Sequence, residues 1–163
     1  ESRILDIWRR TELKIGHWLQ GQLLMMVTVA LLAFLGLTIL GVRYAFSLAI
    51  VLGILEIIPF AGPVMAAIPA VILGFIENPA LGFLVLILYV IIQQVENHVL
   101  YPLVMQRALG VNPLVIVIAL LIGAKLGGFI GLLLAVPAAV ALLEYLSDVE
   151  KRKHRSVTAQ LAG

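Results

Sequence analysis

Charge is scarce in this chain of 163 residues: Asp, Glu, Lys and Arg together make up 12%, against roughly a quarter in an ordinary soluble domain. Hydrophobic residues make up 63%, and the mean hydropathy is +1.14. If all of them sat in one soluble core, a domain of this size would still expose about a third of its unfolded surface, with too few polar groups to cover it. A soluble monomeric enzyme is excluded. Cysteine is absent, so there is no disulfide, thiolate metal site or cysteine nucleophile. There is no nucleotide loop, paired metal-ligand spacing or serine elbow, and His17, His98 and His154 are far apart in sequence, so neither a cofactor nor a metal nor a catalytic group is expected. The net charge of +2 and pI near 9.2 come from a few terminal basic residues, which is not a nucleic-acid footprint.

What the chain has in abundance is long apolar runs. Ile15 to Val42 contains no Asp, Glu, Lys or Arg, and a helix over it reaches about 42 Å, more than a hydrocarbon core of roughly 30 Å. It predicts a spanning helix over 19–42, with His17 and Trp18 as interfacial anchors and Gly21, Gly36 and Gly41 allowing close helix approach. Residues 1–18 read as an amphipathic lead-in helix: Ile4, Leu5, Trp8, Ile15 and Leu19 form one stripe, with Arg3, Asp6, Arg9, Arg10 and Lys14 opposite. No initiator Met precedes Glu1, so the chain is read as part of a longer protein.

The run from Tyr44 to Ile76 is interrupted by Glu56, Pro59, Gly62 and Pro63. Each Pro removes a backbone donor, so one straight helix cannot pass. Two arms of about 20 Å each, joined at a tip, predict a re-entrant hairpin over 44–76. A second span is predicted over 79–97, with Asn78 as its cap and Pro79 at its first position. Tyr101-Pro102 breaks the pattern, and Arg107, Gly110 and Asn112-Pro113 lead into the next segment. That segment, 113–143, is cut by Lys125, Gly127, Gly128 and Gly131 and predicts a second hairpin. A shift of 69 positions lays Leu40-Gly41-Val42 on Leu109-Gly110-Val111, Glu56 on Lys125 and Gly62 on Gly131.

The fold class expected is therefore all-α: a polytopic membrane protein of spanning helices plus two helical re-entrant hairpins, with a membrane domain over 19–146 and a basic tail over 147–163. Arg9, Arg10 and Lys14 before the first span, and Lys151, Arg152, Lys153 and Arg155 after the last hairpin, place both termini in the cytoplasm. The two span-plus-hairpin units are then inverted relative to each other, as in many secondary transporters.

Glu56 and Lys125 are the only strong charges within their segments, and a lone charge at the bilayer centre costs at least a few kcal/mol. They pair with each other, face a watery cavity, bind a substrate or ion, or sit at tips that reach the interface. Gln93, Gln94, Glu96 and Asn97 crowd the end of the second span, and Gln93, Glu96 and Asn97 share a helix face. Amides there suit a neutral polyol or a hydrated cation. Gly62, Gly127, Gly128 and Gly131 are expected to permit tight turns and close approach, and to bare backbone groups at the tips. The candidate path for a substrate or ion thus comprises Glu56, Pro59, Gly62, Pro63, Gln93, Gln94, Glu96, Asn97, Lys125, Gly127, Gly128 and Gly131.

The stretch from Leu55-Glu56 through Pro59-Phe60-Ala61-Gly62-Pro63, the run Gln93-Gln94-Val95-Glu96-Asn97 leading to Tyr101-Pro102, Gly110-Val111-Asn112-Pro113, and Gly127-Gly128 through Gly131 to Pro137 resemble the autoinducer-2 exporter family of prokaryotic membrane proteins. The likeness covers almost the whole chain and corresponds to the C-terminal half of a family member. It implies a multi-pass protein of the cytoplasmic membrane that exports a small polar molecule such as a quorum signal. It further implies that some members act as sodium or lithium/proton antiporters, so a sodium ion or proton joins the lipid bilayer and the substrate as expected partners, and that the assembly is a homo-oligomer. The competing reading is a non-transporting membrane scaffold in which the polar groups only hold hairpins together.

Overall fold

The computed structural model describes residues 2–104 and 113–161, and its regular structure there is helical throughout. Arg107, Gly110 and Asn112 lie outside the described residues. The chain divides into two compact units, Leu19–Ala108 and Glu1–Trp18 with Leu109–Gly163. Three helical runs are long and apolar enough to cross a membrane: Thr11–Ile39, Pro79–Val104 and Leu114–Val149. Two shorter apolar helices, Ala45–Leu55 and Ala61–Glu77, stand between the first two.

Helix α1 runs unbroken over Ser2–Ile39. The lead-in expected over 1–18 is helical from Ser2 and continues into the span without a break, because no proline interrupts residues 2–39 and each turn can build on the last. Its end is set by Gly41 at φ 77. The amide of Gly41 donates to the Thr38 carbonyl and that of Val42 to the Leu37 carbonyl, both at 3.0 Å, the paired bonds of a Schellman stop. Trp18, expected as an interfacial anchor, is buried at 6% exposure. His17 beside it is exposed.

In the unit Leu19–Ala108, α2 (Ala45–Leu55) and α3 (Ala61–Glu77) form a helical hairpin. The fold-back is recorded at Gly62, where a methyl group would lie 1.9 Å from the Leu55 carbonyl oxygen. Seven residues of straight helix would separate those positions by about 10 Å. Asn78 caps α4 (Pro79–Val95), accepting from the Ala80 amide at 2.9 Å, with Pro79 at the first position. The core of this unit is built from one face of each helix: Val29, Ala33 and Leu37 of α1, Leu48 and Leu52 of α2, Ala66 and Ala70 of α3, and Val85, Tyr89 and Ile92 of α4. The outward faces carry exposed Leu23, Leu31, Ile68, Phe83 and Ile87, a surface that lipid rather than water must cover.

The helix does not stop at residue 97. A π-helical turn over Glu96–Leu100 carries it on to Val104. The Tyr101 amide bonds the Glu96 carbonyl, five residues back. The widened turn accommodates Pro102 without a break, since a membrane helix re-satisfies freed backbone groups by such local adjustments.

In the other unit, α5 (Pro113–Leu161) contains a reversal at Gly128, φ 56 and ψ −131. A methyl group on Gly131 would lie 1.9 Å from the Gly123 carbonyl oxygen, so the chain doubles back here as well. The arms are unequal: the second continues through Leu161 rather than ending near 143, because residues 144–161 contain neither Pro nor Gly. The tail over 147–163 is therefore helical through Leu161. Lys14 of α1 donates to the Glu144 carboxylate at 2.5 Å, so one member of the basic face meets a protein partner rather than only headgroups.

Candidate functional site

Glu56 ends α2 and opens the tip of the first hairpin. Its amide still bonds the Leu52 carbonyl at 2.9 Å, which fixes where its side chain leaves the helix. The side chain is 1% exposed, and Glu96 from the π-turn is 3% exposed. The two carboxyl groups are near enough to interact electrostatically. Within its own unit, Glu56 thus has a second acid as its charged neighbour; Lys125 belongs to the other unit, where its side chain is exposed.

Amides surround the pair. Gln22 Nε2 of α1 donates to the Glu56 backbone carbonyl at 2.5 Å, and Gln22 itself is 2% exposed. Gln93 Nε2 reaches Glu96 Oε2 at 3.3 Å and Asn97 Oδ1 at 3.4 Å. Gln93, Glu96 and Asn97 thus do share a face, as their spacing requires. Gln94 is exposed, and its carbonyl meets His98 Nδ1 at 3.0 Å. Tyr89, two turns before Glu96 on the same side, is buried with its hydroxyl unpartnered. A groove of about 180 Å³ lies beside it, walled by Leu52, Pro63, Ala67, Tyr89 and Gln93.

The tip itself is shaped by Phe60, not by a glycine. Phe60 stands at φ 66, ψ −43, a region that a bulky side chain enters only under strain. Its ring packs on Tyr101, centroids 5.8 Å apart. Of the two roles expected of Gly62, the close approach is the one it fills: it is helical in α3 and lies against Leu55, while Pro59 and Pro63 are buried beside it. Pro63 occupies the first turn of α3, where its missing amide has no helical partner to lose.

The structure therefore brings together Glu56, Gln93, Glu96 and Asn97, with Pro59, Gly62 and Pro63 framing the tip. Lys125, Gly127, Gly128 and Gly131 form the other tip, in the other unit; the first three are exposed. Sequence reading passed over Gln22 and Tyr89. A search for isolated polar side chains within apolar runs would have flagged both. Among the described residues no cluster of three or more His, Asp or Glu could hold a metal ion.

Comparison with known proteins adds a family. A family model described as AI-2E family transporter matches residues 1–151. The chain is 37% identical over 145 residues to Putative transport protein YueF of Bacillus subtilis, covering 89% of this chain and 39% of that protein. It is 33% identical over 128 residues to Putative transport protein YrrI of the same organism, covering 78% and 36%. It is 31% identical over 124 residues to Putative transport protein YhhT of Escherichia coli K12, covering 76% and 36%. The chain thus spans well under half the length of these relatives.

Proposed function

The chain belongs to the AI-2E transporter family, and from that premise we propose that it carries the polar path of a transporter that moves a small polar molecule, such as a quorum signal, out across the prokaryotic cytoplasmic membrane. The observation that carries this reading is the burial of Gln22, Glu56 and Glu96 inside an otherwise apolar helix assembly. Polar and ionisable groups at membrane depth are costly and mark substrate or ion pathways.

In this reading the two hairpins are re-entrant, and movement of the hairpin units exposes the path to each side in turn. Two amides and two carboxyls offer both donors and acceptors to a hydroxylated substrate. Lys125, Gly127, Gly128 and Gly131 would supply the second tip, both termini would be cytoplasmic, and several copies would assemble. A sodium or lithium/proton antiporter is the second reading, favoured by the paired carboxyls, which suit a small cation better than a neutral solute.

The test is flux in proteoliposomes. Efflux of autoinducer-2 should disappear in Glu56→Gln. Wild-type efflux from a poorly folding Glu56→Gln would instead support a scaffold role. Efflux of the signal unaffected by sodium or proton gradients, set against sodium/proton exchange without the signal, separates exporter from antiporter.

A further inference from the structure

Within the pair, the Glu56 carboxyl lacks a donor. Glu56 Oε2 is fully buried and has no hydrogen-bond partner. The nearby amides are otherwise engaged: Gln22 Nε2 serves the backbone carbonyl of Glu56, and Gln93 Nε2 serves Glu96 and Asn97. Ionised carboxylates are acceptors only, so two of them in contact cannot bond unless one carries a hydrogen. A single proton on the pair supplies the missing donor and removes the repulsion of two like charges in an apolar setting.

We propose that Glu56 and Glu96 form a binding site for one proton, and that this proton latches the tip of the first hairpin to the helix after it. The inference deepens the transporter reading and rests on it for its purpose. Three clasps hold the tip: the Gln22 amide on the Glu56 carbonyl, the Phe60 ring on Tyr101, and the carboxyl pair. Only the third depends on a proton. Phe60 at φ 66 stores strain that release of the tip would relieve. Loss of the proton leaves two buried negative charges and drives the tip away from Glu96.

The other ionisable groups on the elements around Glu56 are few. The segment 79–104 offers Tyr89, His98 and Tyr101 besides Glu96; α2 and its cap offer only Tyr44 at the opposite end; α3 offers only Glu77, likewise at its far end. The α1 residues of this unit, 19–39, contain no ionisable side chain. His98 is exposed and bonded to the Gln94 carbonyl, so among the described residues of these elements no Lys or Arg stands against the pair.

Because the chain has no cysteine, Ala61→Cys gives a single reporter at the tip. In proteoliposomes its maleimide labelling, normalised to a separate Glu77→Cys control, should be slow in acid. It should rise by roughly tenfold per pH unit through the transition, as release of one proton requires. Glu56→Gln supplies a permanent amide donor to Glu96 and should keep labelling slow at every pH; Glu96→Gln gives the same reading if the first variant folds poorly. Labelling that ignores pH, or an unchanged pH profile in both Gln variants, overturns the latch. Slow labelling restored at alkaline pH by sodium chloride, but not by choline chloride, also overturns it by making the occupant a metal cation. A pH-dependent tip without flux supports the latch and counts only against the transporter reading.

Discussion

The two hairpins reverse in the same way and differ in what they put at the bend. In each, a glycine presses on a carbonyl of the opposite arm, Gly62 on Leu55 and Gly131 on Gly123. In each, one residue near φ 60 turns the chain, Phe60 in the first and Gly128 in the second. The first tip is packed, with Pro59 and Glu56 buried and Phe60 on an aromatic ring. The second is open: nothing lies within 4 Å of where a side chain would grow from Gly127 or Gly128. A glycine bend costs nothing in sterics and needs no support. A phenylalanine bend persists only because its surroundings hold it, which marks the first tip as the built one.

The largest expected effect tests what the hairpins share. Gly62→Val and Gly131→Val each force side-chain atoms into a backbone carbonyl that cannot step aside, and each should destabilise by about 3 kcal/mol or more. Thermal unfolding in detergent measures it; a tolerant Gly131→Val would show that only the first hairpin depends on the close approach. Next comes Gln22→Ala, which leaves the buried Glu56 carbonyl without its side-chain donor and should cost about 1–3 kcal/mol, with faster proteolysis confined to the first tip. Among the described residues no equivalent clasp is found at Gly128, so a polar substitution there should leave stability nearly unchanged apart from backbone strain.

The bend residues give a smaller and unequal pair. Gly128→Ala should destabilise by about 1 kcal/mol for its positive φ. Phe60→Gly should lose the ring contact on Tyr101 but shed the strain, with a net change near zero and a looser tip by hydrogen exchange. Equal losses in the two variants would erase the distinction drawn between the tips. The smallest effect is expected at Lys14→Ala: Lys14 is 44% exposed in its ion pair with Glu144, and such half-open pairs contribute about 1 kcal/mol or less. A shift in melting beyond that would mean the pair anchors the second unit.

Much of the layout could be read from the residues. The charge-free run to Val42, the Asn78-Pro79 cap and the interruptions at Pro59 and Gly127-Gly128 each act through local rules, and the structure has a long apolar helix, a helix start and two reversals at these places. Glu56, Gln93, Glu96 and Asn97 were legible as polar groups out of place. Their partners were not. The shift that aligns Glu56 with Lys125 invites an ion pair, whereas the structure sets Glu56 against Glu96, 40 positions away in sequence. The π-turn over Glu96–Leu100 was equally hidden, because Pro102 by itself argues for a break.

Composition alone determined that this chain lives in lipid, and its prolines and glycines determined where the helices must bend, since both act through solvent transfer and steric limits that need no distant partner. Which side chains meet was decided by the packing of α1, α2 and α4. Bringing Gln22, Glu56 and Glu96 to one point depends on helix rotation and contact between elements, quantities that no single stretch of sequence contains.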